Sequence, residues 1–266
     1  MTMNNVLCRQ ENKVLFLEIS RREKKNALTG QMYQHMTALI QDADRKPEIS
    51  VVVIHGQEDL FTSGNDIRDF LERDKSRLPD AITFLKAISI FSKPLLAAVG
   101  GDAIGIGTTL LMHCDFVITS DQSRFQLPFV NLGLCPEAGS SFLLQLLAGP
   151  RMASELLLLG DYFDSEKAIQ ARIVNRACPA EQLLYEITKL ADKIAKQPMD
   201  ALITSKSLMK KHFREQIQIA MDSEINEFSR LLESPPSKEI FSAFLEKRLP
   251  NSKITQSMTY LSKNND

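Results

Sequence analysis

The segment KPLLAAVGGDAIGIGTTL, residues 93–110, indicates the fold more strongly than any other part of this sequence. It opens with a short apolar run, which is typical of a strand buried on both faces of a sheet. Glycines follow at positions 100, 101, 105 and 107, and a helical pattern follows the glycines. Because a buried strand, a turn and a helix in succession build parallel sheets with helical cover, the segment predicts an α/β fold.

The glycine turn in this segment has two possible uses. Glycines let a backbone approach a ligand closely and expose its amides, or they let a helix pack closely on a strand. The turn is not a phosphate-binding P-loop, because the Gly-Lys-Ser/Thr ending is absent. It is not the dinucleotide fingerprint either, because the third glycine would fall where Leu110 stands. The turn alone does not choose between a site and close packing.

Other apolar runs repeat the same succession along the chain. Strands are predicted at residues 14–19, 50–55, 93–99 and 115–119, and a helix at residues 29–45. Further helices are predicted at residues 152–159, 165–171, 180–196, 200–212, 216–232 and 237–247, with Pro235-Pro236 as the break before the last. The sequence thus predicts an α/β core over residues 1–198 and a helical C-terminal region over residues 199–266. This region either packs on its own core or mediates assembly.

The charge balance limits the possible partners. Lys plus Arg number 32 and Asp plus Glu number 33 among the 266 residues, so the net charge is −1. A nucleic-acid surface normally shows as a basic excess, so we expect no nucleic-acid partner. No apolar run approaches the ~20 residues that cross a bilayer, so we expect no membrane partner.

Targeting and metal-binding signals are also missing from the sequence. Residues 1–11 lack the apolar centre of a secretion signal, and residues 262–266 do not match the peroxisomal tripeptide. The four cysteines and four histidines are scattered, without a CxxC pair or ligand-like spacing. His55 and His113 lie in or beside apolar runs and are expected to be packed. We therefore expect a cytoplasmic protein without a metal or another bound cofactor.

Two more clusters could carry chemistry. Residues 61–67, FTSGNDI, form a turn whose free N–H groups would favour negative charge, or simply a strand-to-helix turn capped by Ser63 or Asp66. Residues 131–141, NLGLCPEAGSS, place Glu137 before an apolar helix. A lone carboxylate there usually complements the helix dipole, so Glu137 alone does not indicate catalysis.

Taken together, the three clusters resemble the crotonase superfamily, also called the enoyl-CoA hydratase/isomerase family, over residues 14–211. The matching segments are RREKKNAL (21–28), SGNDI (63–67), the residue 93–110 segment, Cys114-Asp115, LGL (132–134) and AIQARIV (168–174). The resemblance implies a spiral of strand–strand–helix turns. It also implies a homotrimer or hexamer assembled through the C-terminal helices.

The same resemblance implies a site for an acyl-coenzyme A thioester. Two backbone N–H groups, those of Asn65 and Ile106, would hold the thioester oxygen as it becomes an enolate. Each preorganised donor of this kind is typically worth about 2.7–4 kcal/mol in the transition state. The residues implied to bind the substrate, several of them at the nucleotide end of coenzyme A, are Lys24, Lys25, Ala27, Ser63, Gly64, Asp66, Ile67, Gly105 and Phe129.

Departures from the family pattern indicate the reaction. Hydratases carry two glutamates that activate water, and Thr109 and Phe129 stand at those positions here. Glu137 stands where peroxisomal-type Δ3,Δ2-enoyl-CoA isomerases carry their single catalytic carboxylate, because their PEGCSS run resembles PEAGSS at residues 136–141. One base can serve both halves of a 1,3-proton shift. The resemblance therefore implies an enoyl-CoA isomerase with Glu137 as acid and base.

An apolar pocket around Glu137, formed by Phe129, Leu134 and Phe142, would raise the pKa of its carboxyl group and help it return the proton. Two alternatives stay open. One is another crotonase reaction, weak hydration or thioester hydrolysis. The other is a scaffold domain that binds acyl-CoA without turnover.

Overall fold

The computed structural model describes residues 5–68 and 80–255. The strands are β1 (Val6–Glu11), β2 (Val14–Ile19), β3 (Val51–His55), β4 (Leu60–Thr62), β5 (Leu95–Val99), β6 (Asp102–Ile104), β7 (Phe116–Ser120), β8 (Arg124–Gln126), β9 (Phe163–Asp164) and β10 (Arg176–Cys178). The helices are α1 (Gly30–Arg45), α2 (Asp80–Ile90), α3 (Ile106–Thr109), α4 (Ser140–Ala148), α5 (Pro150–Leu159), α6 (Ser165–Gln170), α7 (Leu183–Ala195), α8 (Met199–Lys211), α9 (Arg214–Leu232), α10 (Pro235–Leu245) and α11 (Ser252–Thr255).

The strands form two sheets. The larger has the order β1-β2-β3-β5-β7-β10, parallel except for β1, and the smaller has the order β4-β6-β8-β9, parallel except for β9. The strands β3, β5 and β7 of the larger sheet are each followed by a strand of the smaller one, namely β4, β6 and β8. Strand–strand–helix turns therefore wind between the two sheets, which confirms the predicted spiral.

The central strands are apolar on both faces because helices cover both sides of the larger sheet. In β3, Val52 and Ile54 pack toward the cluster that contains α1 and α2. Val51 and Val53 pack on the other face against α7. Successive side chains of a strand point to opposite faces, so a doubly covered strand has no polar alternation.

Helix α1 begins where the sequence predicts a helix. The side chain of Thr29 accepts a hydrogen bond from the Met32 N–H, at 3.4 Å, and so caps the first turn. Met32, Met36 and Ile40 are buried on one face, at the spacing that predicted the helix.

The C-terminal helices pack on the core of their own chain. Met221 and Leu232 of α9, with Phe241 of α10, belong to the same buried cluster as α1. Lys206 of α8 donates hydrogen bonds to the carbonyl oxygen of Lys93 and to the carboxylate of Asp115, both at 2.6 Å. Packing on the chain's own core is therefore one of the two uses expected of this region.

Three sequence predictions concern the chain ends, the Pro235-Pro236 break and membrane-spanning segments. Residues 1–4, part of the stretch inspected for a secretion signal, and residues 262–266, inspected for the peroxisomal tripeptide, lie outside the described residues. Pro235 and Pro236 form the first turn of α10, where proline's missing N–H has no helical acceptor to lose. In the described part of the chain, no helix is both long and apolar enough to span a membrane.

Candidate active site

Three turns converge at one edge of the smaller sheet. Strands β4, β6 and β8 are parallel neighbours, so their carboxyl ends meet at the same edge. Asn65 follows β4, Ile106 follows β6, and the loop that carries Glu137 follows β8. Strand pairing therefore brings the three turns to the same edge, although the residues implied to do the chemistry span 72 residues of sequence, from 65 to 137.

The first two turns lie in close contact. A Cβ atom added to Gly64, whose φ is +93°, would lie 2.9 Å from the carbonyl oxygen of Ile104. Only glycine permits both this backbone conformation and this approach. Gly105, with φ +56° and ψ −115°, makes the turn that starts α3 at Ile106.

Within residues 5–68 and 80–255, the two N–H groups implied to be the oxyanion donors have no hydrogen-bond acceptor. Their neighbours are paired: the Leu28 N–H donates to Gly64 O at 2.8 Å, and the Asp66 N–H donates to Leu28 O at 2.9 Å. Among the hydrogen bonds of the described residues, neither the Asn65 N–H nor the Ile106 N–H has an acceptor. These two N–H groups, on two adjacent turns, are therefore available to donate to an anionic oxygen.

The side chain of Asn65 is held by α1. The hydroxyl of the buried Tyr33 donates to Asn65 Oδ1. Sequence reasoning placed no functional role at Tyr33, because its helical spacing predicts only a core residue. The structure adds it as a residue that orients the first turn.

Glu137 lies in a strained loop just before α4. Ala138 and Gly139, the next two residues, both have left-handed backbones, with φ values of +63° and +72°. Such a conformation costs about 1–3 kcal/mol at a non-glycine residue such as Ala138. The Nε2–H of His113 donates to Ala138 O at 2.7 Å and holds the turn. Burial lowers the pKa of His113 to about 4, so its ring is neutral.

The Glu137 side chain is half-buried and nearly unpaired. In the part of the chain that the structure describes, its one hydrogen-bond partner is the Thr109 hydroxyl, which donates at 3.3 Å. Burial, and next the nearby charge of Glu224, raise the pKa of Glu137 to about 8. The carboxyl group can therefore both accept and return a proton near neutral pH.

Glu137 and Asn65 share a narrow pocket of about 40 Å³. Its other walls come from Ala138 and from two helices, with Ala81, Ile82 and Leu85 on α2 and Met221, Ile225, Phe228 and Ser229 on α9. Phe129, Leu134 and Phe142, expected as the lining, are not among the lining residues. Phe129 and Leu134 instead pack in the buried core. The pocket wall is built mainly by α2 and α9, which the sequence did not connect with Glu137.

Seven of the nine implied substrate-binding residues lie on two adjoining segments, residues 24–27 and 63–67, whereas Gly105 starts α3 and Phe129 packs in the core. Lys24 and Lys25 are exposed, and the Ser63 N–H donates to Lys25 O at 3.0 Å. The Arg21 guanidinium joins the turns, because it donates to Ala27 O at 2.9 Å and to the Asp66 carboxylate at 2.7 Å.

Ile67 of the same set is half-buried and packs against the core. Sequence reasoning took the charged run around Arg21 as one segment and did not single out this arginine. The pairing of Asp66 with Arg21 shows that Asp66 at least fastens the two turns together.

One carboxylate near the site was missed altogether. Glu224 of α9 is 7% exposed and accepts hydrogen bonds from the amides at the start of α4. Its position could have been noticed, because residues 221, 224, 225 and 228 share one face of a helix and the other three are apolar. Within residues 5–68 and 80–255, no group of three or more His, Cys, Asp or Glu residues could hold a metal ion.

Comparison with known proteins defines the class to which this arrangement belongs. A model of the enoyl-CoA hydratase/isomerase family matches residues 9–254. The chain therefore belongs to the enoyl-CoA hydratase/isomerase family, the crotonase superfamily.

Particular relatives are similar over nearly their whole length. The 2,3-dehydroadipyl-CoA hydratase of Escherichia coli strain K12 is 32% identical, with 94% of this chain and 99% of the relative covered. The crotonyl-CoA hydratase of Syntrophomonas wolfei is 31% identical, with 94% and 98% covered. The crystal structure of an enoyl-CoA hydratase/isomerase from Pseudoalteromonas atlantica T6c superposes with a TM-score of 0.88 at 37% identity, covering 93% of this chain and 99% of that one.

Proposed function

We propose that this enzyme converts 3-enoyl-CoA into 2-enoyl-CoA, with Glu137 as its single acid and base. The observation that carries the proposal is the Glu137 carboxyl group, whose one hydrogen-bond partner among the described residues is Thr109. It lines the pocket beside Asn65, and its pKa is raised to about 8. A general base with a pKa near the working pH is well matched to a reaction in which the same group must give the proton back.

The geometry supports a two-step proton shift. The N–H groups of Asn65 and Ile106 hold the thioester oxygen while the Glu137 carboxylate removes a proton from C2. The electron pair moves into a dienolate, whose negative charge lies on that oxygen. Protonated Glu137 then returns the proton at C4, and the double bond moves from C3–C4 to C2–C3. Substrate and product have the same composition, so the reaction needs no net oxidant or reductant.

Hydration is the competing reaction, because curated relatives are named hydratases. Adding water across a double bond requires carboxylates that orient and activate the water. Thr109 and Phe129 stand at the two positions where hydratases carry those glutamates, and both are buried. An apolar ring at one position and a hydroxyl at the other disfavour this chemistry here.

The activity test is to incubate the protein separately with trans-3-enoyl-CoA and trans-2-enoyl-CoA. We expect 2-enoyl-CoA to form from the first and little 3-hydroxyacyl-CoA to form from the second, measured by absorbance and mass. Rapid hydration of 2-enoyl-CoA would contradict the proposal in favour of a hydratase. Binding of both thioesters without turnover would contradict it in favour of a scaffold.

Glu137→Gln tests the base. The substitution keeps the shape and removes the ionisable group, so we expect kcat to fall by about 10²–10⁴-fold while acyl-CoA affinity survives. Glu227→Gln is the matched control, because Glu227 lies exposed on α9 and should leave kcat unchanged. Wild-type turnover in folded Glu137→Gln would exclude Glu137 as the base.

Dialysis against a chelator tests whether turnover requires a metal ion. Proton transfer by Glu137 and two backbone amides uses no metal, so we expect turnover and melting temperature to stay unchanged. Loss of turnover in a protein that remains folded would contradict the mechanism.

A further inference from the structure

A second carboxylate lies behind the proposed base. Glu224 of α9 is 7% exposed, and its two oxygens accept one hydrogen bond each. The Gly139 N–H donates to Oε2 at 2.5 Å, and the Ser141 N–H donates to Oε1 at 2.8 Å. Both donors are amides at the start of α4, where a helix offers them no backbone acceptor. Glu224 therefore caps α4 from another helix.

This cap leaves Glu137 free for another use. A carboxylate two residues before Gly139 would ordinarily be a candidate to complement the dipole of α4. Because Glu224 already occupies the amides of Gly139 and Ser141, the Glu137 side chain lines the pocket instead. The loop is also held at Ala138 by His113, so the residues directly after Glu137 are fixed by two side chains.

The hydrogen bonds also indicate the charge of Glu224. An N–H donor meets each of its oxygens, and hydrogen bonds donated to a carboxylate favour its ionised form. The ionised form therefore fits the site, although burial raises the pKa of Glu224 against its hydrogen bonds with Ser141 and Gly139.

Among the described residues, few other ionisable groups lie near Glu137 and Glu224. The neutral His113 holds the loop from the other side, and Cys135 lies within it, near Glu224. On α2 and α9, Lys86 and Asp222 pair with each other at the surface. The Thr109 hydroxyl of α3 is the remaining polar contact of Glu137. In the part of the chain that the structure describes, the carboxylate of Glu224 is thus the buried charge that acts on Glu137.

We propose that Glu224 is a positioning residue for the isomerase reaction. Its carboxylate fixes the turn that carries Glu137, and its charge keeps the Glu137 carboxyl in the form that holds a proton. This inference rests on the proposed function in assigning Glu137 as the base. Position and charge are separable effects, so two variants of Glu224 distinguish them.

Glu224→Gln removes the charge, and Glu224→Asp keeps the charge but shortens the reach to the two amides. In Glu224→Gln, we expect the midpoint of Glu137 ionisation to fall by at least about half a pH unit, because a like charge has been removed. In Glu224→Asp, we expect the midpoint to stay closer to wild type while kcat falls by roughly 10–10²-fold through misplacement of the base.

The midpoint is measured by NMR titration of protein labelled with [5-¹³C]glutamate, with Glu137→Gln identifying the Glu137 signal. The acid limb of kcat/KM against pH is recorded on the same variants, and it should move with the midpoint. Glu227→Gln is the control on the same helix, since its exposed, Arg230-paired charge should shift neither quantity.

A Glu224→Gln protein whose midpoint and kcat match those of Glu227→Gln would overturn the inference. If Glu224→Gln does not fold, Glu224→Asp decides, and an unchanged kcat would overturn it. The NMR titration needs no turnover. A shifted midpoint in a protein that isomerises nothing would therefore refute the proposed reaction while leaving the coupling intact.

Discussion

Glu137 and Glu224 are two acidic residues at one loop–helix junction, and their surroundings give them different tasks. Glu224 meets two amide donors, at 2.5 and 2.8 Å, which favour its ionised form. Glu137 meets one hydroxyl at 3.3 Å, which stabilises a negative charge only weakly. Burial then raises the pKa of Glu137 with little opposition. Burial raises the pKa of both groups, but the Glu224 carboxylate has two amide donors that oppose this shift.

The raised pKa of Glu137 makes a prediction for stability against pH. The folded-state value of about 8 lies above the ordinary 4.5, so between these values the folded chain binds more protons than the unfolded chain. The contribution of Glu137 to stability therefore falls as pH rises through this window. Glu137→Gln should have a higher melting temperature than the wild type. The difference between the two melting temperatures should increase as the pH rises from 4.5 to 8.

Calorimetry of both proteins across the window measures this margin. Glu227→Gln serves as the control, because its exposed charge should give no comparable trend. A margin that does not change with pH would show that burial does not raise the pKa of Glu137.

At the scale of elements, helix α8 is fastened to the larger sheet by one buried ion pair. Lys206 Nζ lies 2.6 Å from Asp115 Oδ2, and the two side chains are only 9% and 18% exposed. The same carboxylate oxygen accepts from the Leu95 N–H at 2.8 Å, at the start of β5. The pair therefore ties the start of the C-terminal region to the centre of the sheet.

Lys206→Met tests this tie. The substitution leaves the Asp115 carboxylate without its closest cation, so we expect the free energy of unfolding to fall by about 3–5 kcal/mol, less where water reaches the carboxylate. Urea denaturation followed by circular dichroism measures the change. Lys210→Met is the matched control, because Lys210 lies 3.5 Å from Asp115 and is 27% exposed, so its loss should cost about 0–1 kcal/mol. Equal losses of unfolding free energy in the two variants would contradict a larger contribution from Lys206 than from Lys210.

At the scale of the whole molecule, large apolar side chains remain on the surface of this single chain. Several are close in sequence: Leu158, Leu159 and Tyr162 around the end of α5, and Leu208, Met209 and Phe213 around the end of α8. Surfaces of this kind are common where subunits meet. Together with the resemblance to a family that forms trimers and hexamers, they favour an oligomer.

We therefore predict a homotrimer or hexamer in solution. Light scattering or sedimentation at micromolar concentration measures the mass, with a protein standard of known mass as the reference. The expected masses are three or six times the chain mass of 29.9 kDa. A homogeneous species of one chain mass would contradict the prediction.

Much of the fold could be predicted from the sequence because its main elements carry their own signal. Strands β3 and β5 are continuous apolar runs, since both their faces are covered, and α1 shows its buried face at helical spacing. The turns at Gly64 and Gly105 were also visible, because their backbones require glycine. The α/β fold followed from these local features, and the predicted spiral and the place of Glu137 followed from the family resemblance.

Only the tertiary structure decided what surrounds Glu137. The strands β4, β6 and β8, which gather the three turns, have three residues each, too few for a periodic pattern. The pocket wall comes from α2 and α9, and Glu224 reaches the Gly139 amide across 85 residues of sequence. A local sequence pattern shows that a side chain is buried, but it does not show which distant residues the side chain contacts. The pKa of Glu137 depends on those distant neighbours, because burial and a nearby charge act through space and not along the chain.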